Sequence, residues 1–180
     1  MKNLPNILTL SRIFLAVLLL VVLLHWEALV PSYVHISWRD YCAFLIFCIA
    51  SITDFFDGYI ARQFDLTSTF GEIFDPLADK MLMLGAFIGL LWLGRADTWA
   101  VFIILSREFY ITGLRVAVAS SKHTVAASAL GKLKTIFQIV AVAVLLVNFL
   151  PGGEILLWIA TALTVYSGLD YTIKYYRALA

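Results

Sequence analysis

The stretch DFFDGYIARQFDLTSTFGEIFDPLADK, from Asp54 to Lys80, places Asp54, Asp57, Asp75 and Asp79 in a chain that otherwise looks built for lipid. Asp54, Asp57, Gly58 and Ala61 recur at offsets of three, four and seven, which is one face of an α-helix. Phe55, Phe56, Tyr59 and Ile60 fill the other faces. Gly71, Asp75, Ala78 and Asp79 repeat the arrangement. A loop of roughly nine residues between the two segments makes them antiparallel neighbours. Four carboxylates then converge across one helix–helix seam lined with small residues.

Working outward, 62% of the 180 residues are hydrophobic and 14% are charged, with a mean hydropathy of +0.93, which points to an all-α, multi-pass membrane protein. A spanning helix needs about 20 mostly apolar residues. Six stretches qualify, approximately 5–24, 39–61, 71–93, 98–119, 129–150 and 153–177. The breaks HWEALVPSYVHIS, RQFDLTSTF, GRAD, SSKHTVAAS and PGGE hold turn-forming and polar residues. No linker divides the chain, so residues 1–180 read as a single domain. The first apolar run has no clear small-x-small cleavage site after it and reads as a retained helix. A net charge of +1 gives no electrostatic case for nucleic acid. Cys42 and Cys48 fit no redox or zinc spacing and read as buried thiols. His25, His35 and His123 are isolated.

Basic residues orient the chain. With the N-terminus in the cytoplasm, Lys2, Arg12, Arg62, Lys80, Arg107, Arg115, Lys122, Lys132, Lys134, Lys174 and Arg177 fall on the cytoplasmic half, and only Arg39 and Arg95 on the other. The topology is therefore N-in and C-in, with the acidic stretch at the cytoplasmic face.

An Asp near a membrane helix centre costs about 2.5–3.5 kcal/mol on insertion scales, less near the ends. Four like charges in one seam also repel one another. Divalent cations remove both problems, and oxygen-only ligands favour magnesium, manganese or calcium. Solvated juxtamembrane acids would explain one or two such residues, but poorly explain four on two facing stripes. Two hard cations at a membrane face suit phosphate chemistry or cation transport. Arg62, Arg107, Arg115, Lys132 and Lys134 favour phosphate-bearing substrates, because a cation pathway has no use for them.

The stretch resembles the signature of the CDP-alcohol phosphotransferases, D-x-x-D-G-x-x-A-R-x8-G-x3-D-x3-D. Asp54, Asp57, Gly58, Ala61, Arg62, Gly71, Asp75 and Asp79 meet its eight fixed positions. The resemblance implies a six-helix membrane fold and a two-metal site of magnesium or manganese on Asp54, Asp57, Asp75 and Asp79. It implies that Asp57, Gly58, Ala61, Arg62 and Gly71 seat the cytidine nucleotide. It also implies that Asp79 takes the proton of the attacking hydroxyl, although a metal-bound carboxylate is a weaker base. A homodimer in a bacterial cytoplasmic membrane is a further implication.

NLPNILTLSRI at the start, REFYITGLR from Arg107 and GKLKT from Gly131 are similar to segments of the bacterial phosphatidylglycerophosphate synthases within that family. The implied donor is CDP-diacylglycerol, with Asn6, Thr9 and Arg12 near it. The implied acceptor is sn-glycerol 3-phosphate. Inositol phosphate, serine and phosphatidylglycerol are the alternative acceptors, and a divalent-cation transporter is the alternative class. Glu108, Thr112 and Arg115 share a helix face with Arg107 near it, and Glu108 can pair with an arginine. Arg107, Arg115, Lys132 and Lys134 form the expected acceptor-phosphate set. Lys132 and Lys134 point about 200° apart on a regular helix, so one of the two is expected to reach the site. The plainer account of these cations is snorkelling to lipid headgroups.

Overall fold

The computed structural model describes the backbone of residues 4–64, 69–120 and 129–179, and the side chains of 9–53, 77–117 and 131–176. The described residues form helices joined by turns and short irregular links. Six long helices, α1 (Leu4–Leu24), α3 (Ser37–Phe64), α4 (Thr69–Trp92), α5 (Thr98–Ser120), α6 (Ala129–Leu146) and α7 (Gly152–Leu179), follow the six apolar stretches. A four-residue helix, α2 (Trp26–Leu29), lies in the first break and was not anticipated.

The helix ends follow from local chemistry. Gly94 stops α4 with a φ of 65°. Its N–H donates to the Leu91 carbonyl at 3.0 Å and that of Arg95 to the Leu90 carbonyl at 2.9 Å, a Schellman pair. Asp97 then caps α5, accepting from the Ala100 N–H at 2.9 Å. The GRAD break is thus one stop and one start. α6 ends at Leu146, short of the expected 150, because Asn148 turns left-handed at φ 59°.

The chain divides into two compact units, Met1–Arg95 with Leu146–Asn148, and Ala96–Leu145 with Phe149–Ala180. In the first, α1 packs against α3 and α4. Its buried stripe is Thr9, Arg12, Ala16, Leu19 and Leu23, an alternation of three and four. The facing stripe of α4 is Ala78, Leu82, Ala86 and Leu90. Two glycines bring these helices close. A Cβ at Gly85 would stand 3.2 Å from the Ala16 carbonyl oxygen, and one at Gly89 only 2.3 Å from Leu23 Cδ1.

A buried ion pair closes the far end of this unit. Arg95 Nη2 donates to Asp40 Oδ2 at 2.8 Å, and Nη1 to the Leu146 carbonyl at 3.0 Å. Arg39 Nε meets the other Asp40 oxygen at 3.2 Å. In the second unit α5 packs on α7, around Ala100, Ile104, Ile111, Leu157 and Ala160. Among the described residues one helical segment, Gly152–Tyr176, is long and apolar enough to cross a membrane by length and composition.

Candidate active site

By backbone register, positions 54, 57 and 75 fall in line with stripes that are buried elsewhere on α3 and α4. On α3, Ala43, Phe47 and Ala50 are fully buried at offsets of four and three. The same alternation carried along the helix reaches positions 54, 57 and 61. On α4, carrying the register back from Leu82 and Ala78 reaches 75 and 71. The backbone is helical at all of these positions. The side chains of Asn6, Asp54, Asp57, Ala61, Arg62 and Asp75, with Gly58 and Gly71, lie outside the described residues.

Asp79 is described, and it is half-buried beside the fully buried Ala78. Among the described residues no three His, Cys, Asp or Glu side chains gather as a metal site, since the other three acids of the set fall outside them. The donor set itself fits magnesium or manganese, being four carboxylates with no sulfur or imidazole among them. Thr9 and Arg12 are each 1% exposed and stand at the N-terminal end of the α1 stripe. A charge held so deep in an apolar seam is costly unless it is paired.

The second unit holds a basic cluster. On α5, Arg107 and Glu108 lie between the buried Ile104 and Ile111. Arg107 Nη1 donates to Glu108 Oε1 at 3.3 Å, and Lys134 Nζ of α6 pairs with the same oxygen. Arg107 Nη2 donates to Ser167 Oγ of α7 at 3.0 Å. One carboxylate oxygen shared by two cations is the kind of contact a phosphate oxygen makes.

Lys134 is 6% exposed, whereas Lys132 is exposed to the surroundings. The structure therefore brings one of the two lysines to Arg107 and leaves the other outside the cluster. Arg115 is exposed, with its guanidinium carbon 5.5 Å from the centre of the Tyr171 ring. That contact keeps it beside α7 and gives it a cation–π partner. Thr112 shares the face but turns its hydroxyl to the Glu108 carbonyl at 2.7 Å.

Three residues of this cluster were not picked out from the sequence. Ser167 accepts from Arg107, and Gln138 Nε2 donates to Thr164 Oγ1 at 3.0 Å, both pairs buried or nearly so. A signal for them existed. The α7 stripe turns polar at Thr161, Thr164 and Ser167, and the α6 stripe runs back from Leu145 and Ala141 to Gln138 and Lys134. Hydroxyl and amide groups on the inward face of an apolar helix mark a buried polar seam.

A sequence profile for CDP-alcohol phosphatidyltransferase matches residues 2–166. Three bacterial proteins named CDP-diacylglycerol–glycerol-3-phosphate 3-phosphatidyltransferase align over nearly the whole chain. That of Bacillus subtilis strain 168 is 41% identical over 189 residues, covering 99% of this chain and 98% of the relative. That of Rickettsia typhi is 42% identical, covering 95% and 96%. That of Escherichia coli K12 is 35% identical, covering 94% and 92%.

Proposed function

The chain belongs to the CDP-alcohol phosphatidyltransferase family, and on that premise we propose that it transfers a phosphatidyl group from CDP-diacylglycerol to sn-glycerol 3-phosphate, giving phosphatidylglycerophosphate and CMP. It is thus a transferase of phospholipid biosynthesis. Both compact units act as one domain in this reading, because the family match runs through both.

Asp54, Asp57, Asp75 and Asp79 would hold two divalent ions, magnesium or manganese, which when bound supply positive charge for the donor diphosphate. Asp57, Gly58, Ala61, Arg62 and Gly71 seat the cytidine nucleotide, and Asn6, Thr9 and Arg12 lie toward the lipid donor. Arg107 and Lys134, with Arg115 nearby, take the acceptor phosphate; Lys132 has the weaker claim because it stands outside the cluster. Asp79 accepts the proton of the acceptor's 1-hydroxyl as that oxygen bonds to the β-phosphorus. The bond from that phosphorus to the CMP oxygen breaks in line, and Arg62 helps balance the leaving charge. Positioning and fixed electrostatics supply most of the acceleration.

One observation carries the choice of a phosphate-bearing acceptor: Arg107 and Lys134 converge on Glu108 in a chain that is only 14% charged. With Arg115 the group has three cations against one carboxylate. That excess of two positive charges suits a phosphate monoester dianion and has no counterpart in serine.

Six membrane spans, N-in and C-in, in a bacterial cytoplasmic membrane with the acidic face toward the cytoplasm, complete the proposal. The basic-residue bias supports the orientation. Large apolar side chains exposed along several helices, such as Phe14 at 67%, Trp99 at 69% and Tyr166 at 62%, support a lipid surround. We also propose a homodimer, on family resemblance.

The test is purified protein given labelled CDP-diacylglycerol and a panel of acceptors, reading CMP and lipid product together. CMP and phosphatidylglycerophosphate with glycerol 3-phosphate are expected. Turnover with serine or inositol phosphate alone overturns the acceptor, and metal flux in liposomes without any CMP overturns the enzyme.

A further inference from the structure

Arg107 belongs to α5, yet two consecutive residues of α7 fix where its guanidinium lies. Ser167 is 1% exposed. Its hydroxyl donates to the Thr164 carbonyl at 3.1 Å, which leaves a lone pair to accept from Arg107 Nη2 at 3.0 Å. Elsewhere on α7, Thr161 and Thr172 turn their hydroxyls to the carbonyl four residues back, and Thr164 does the same while accepting from Gln138 Nε2.

Gly168 acts through what it lacks. A Cβ there would stand 3.1 Å from both Cγ and Nε of Arg107 and 3.7 Å from Cδ. The arginine stem therefore lies in the space a side chain would fill. Arg107 Nε is buried and makes no hydrogen bond among the described residues. Of the five guanidinium N–H groups, the structure engages one with Ser167 and one, at 3.3 Å, with Glu108. A nearly buried guanidinium that keeps donors to spare beside its Glu108 pairing has room for a further anion.

Taking the acceptor reading above as its basis, we propose that Ser167 and Gly168 are positioning residues for the acceptor phosphate. They hold Arg107 so that its remaining donors meet a phosphate monoester, and neither touches the substrate. A hydrogen bond to a charged group has enough weight to be read in binding. Losing the Ser167 hydroxyl should cost the acceptor and leave the lipid donor alone.

The experiment measures CMP release by the full-length enzyme in detergent, varying each substrate with the other saturating, for Arg107→Ala, Ser167→Ala, Ser167→Thr and Gly168→Ala. We expect Ser167→Ala to raise KM for glycerol 3-phosphate about tenfold with KM for CDP-diacylglycerol within about twofold of the parent. Gly168→Ala moves the same constant in the same direction, and Ser167→Thr, which keeps the hydroxyl, restores most of it. If Arg107→Ala raises the acceptor KM and Ser167→Ala does not, this proposal falls and the acceptor reading stands. An equal rise in both KM values for Ser167→Ala marks a merely structural role and also overturns it. If Arg107→Ala leaves the acceptor KM unchanged, both fall. Should Gly168→Ala fail to fold, Ser167→Ala and its threonine rescue decide alone.

Discussion

Asp54, Asp57, Asp75 and Asp79 belong to one short stretch carried by two consecutive helices, whereas Arg107, Lys134 and Ser167 come from three helices, with the arginine and the serine sixty positions apart. The first set is a matter of helical period. Once α3 and α4 form, the spacing of three and four fixes which positions share a face, and 54, 57 and 75 fall in register with Ala43–Phe47–Ala50 and Ala78–Leu82. The second set is a matter of packing. Nothing near Arg107 in the sequence announces Ser167, because only the docking of α7 on α5 makes them partners. Chemistry written along a helix survives without tertiary knowledge, and chemistry written across helices does not.

The acids should tolerate change least. Asp75→Asn or Asp79→Asn should lower CMP release by about a thousandfold or more. Raising glycerol 3-phosphate should not recover it, because in the proposed mechanism the carboxylate serves the reacting phosphorus and not the affinity for the acceptor. Near-normal turnover at saturating magnesium would remove the four-carboxylate site. Recovery by excess acceptor would erase the distinction between the two sets.

A further carboxylate of the first unit, Asp40, sharpens the contrast, since two arginines account for its charge. Asp40 sits at the other end of α3 and is held by Arg95 at 2.8 Å and Arg39 at 3.2 Å. Asp40→Ala leaves Arg95 buried without its partner and should cost about 3 kcal/mol of stability. The melting temperature in detergent falls while both KM values stay in place. A selective change in either KM would show that this end of the unit also takes part in binding.

Lys134→Ala should raise KM for glycerol 3-phosphate about tenfold, the weight of one hydrogen bond to a charged group. Unlike the acid variants, it should regain most of its rate when the acceptor is raised. Loss of kcat alone would place Lys134 among the reacting groups.

The two sets also differ in how much of them could be read beforehand. The six long helices were legible because apolar runs of about 20 residues leave few other folds, and Gly94 and Asp97 mark their breaks by known capping chemistry. The early end of α6 was hidden in the backbone angle of Asn148, a residue type that permits a left-handed turn without demanding it. In the basic cluster Glu108 was legible as a partner for an arginine, since the two are neighbours on α5. Its pairing with Lys134 depends on where α6 docks. The Asp40–Arg95 pair was not legible at all: Arg95 entered only as one of the cations on the far side, and its partner stands 55 positions earlier.

Lys132 is the smallest and most discriminating case. It stands two residues before Lys134, carries the same charge and lies in the same motif, so any account based on charge or motif treats the two alike. The α6 stripe separates them. Leu145, Ala141, Gln138 and Lys134 are buried at offsets of four, three and four, and Lys132 falls off that line. Lys132→Ala should therefore change KM for glycerol 3-phosphate by less than about twofold, as for a surface charge. A tenfold rise, equal to that of Lys134→Ala, would mean that α6 presents both lysines to the acceptor, which a regular helix in this register cannot do.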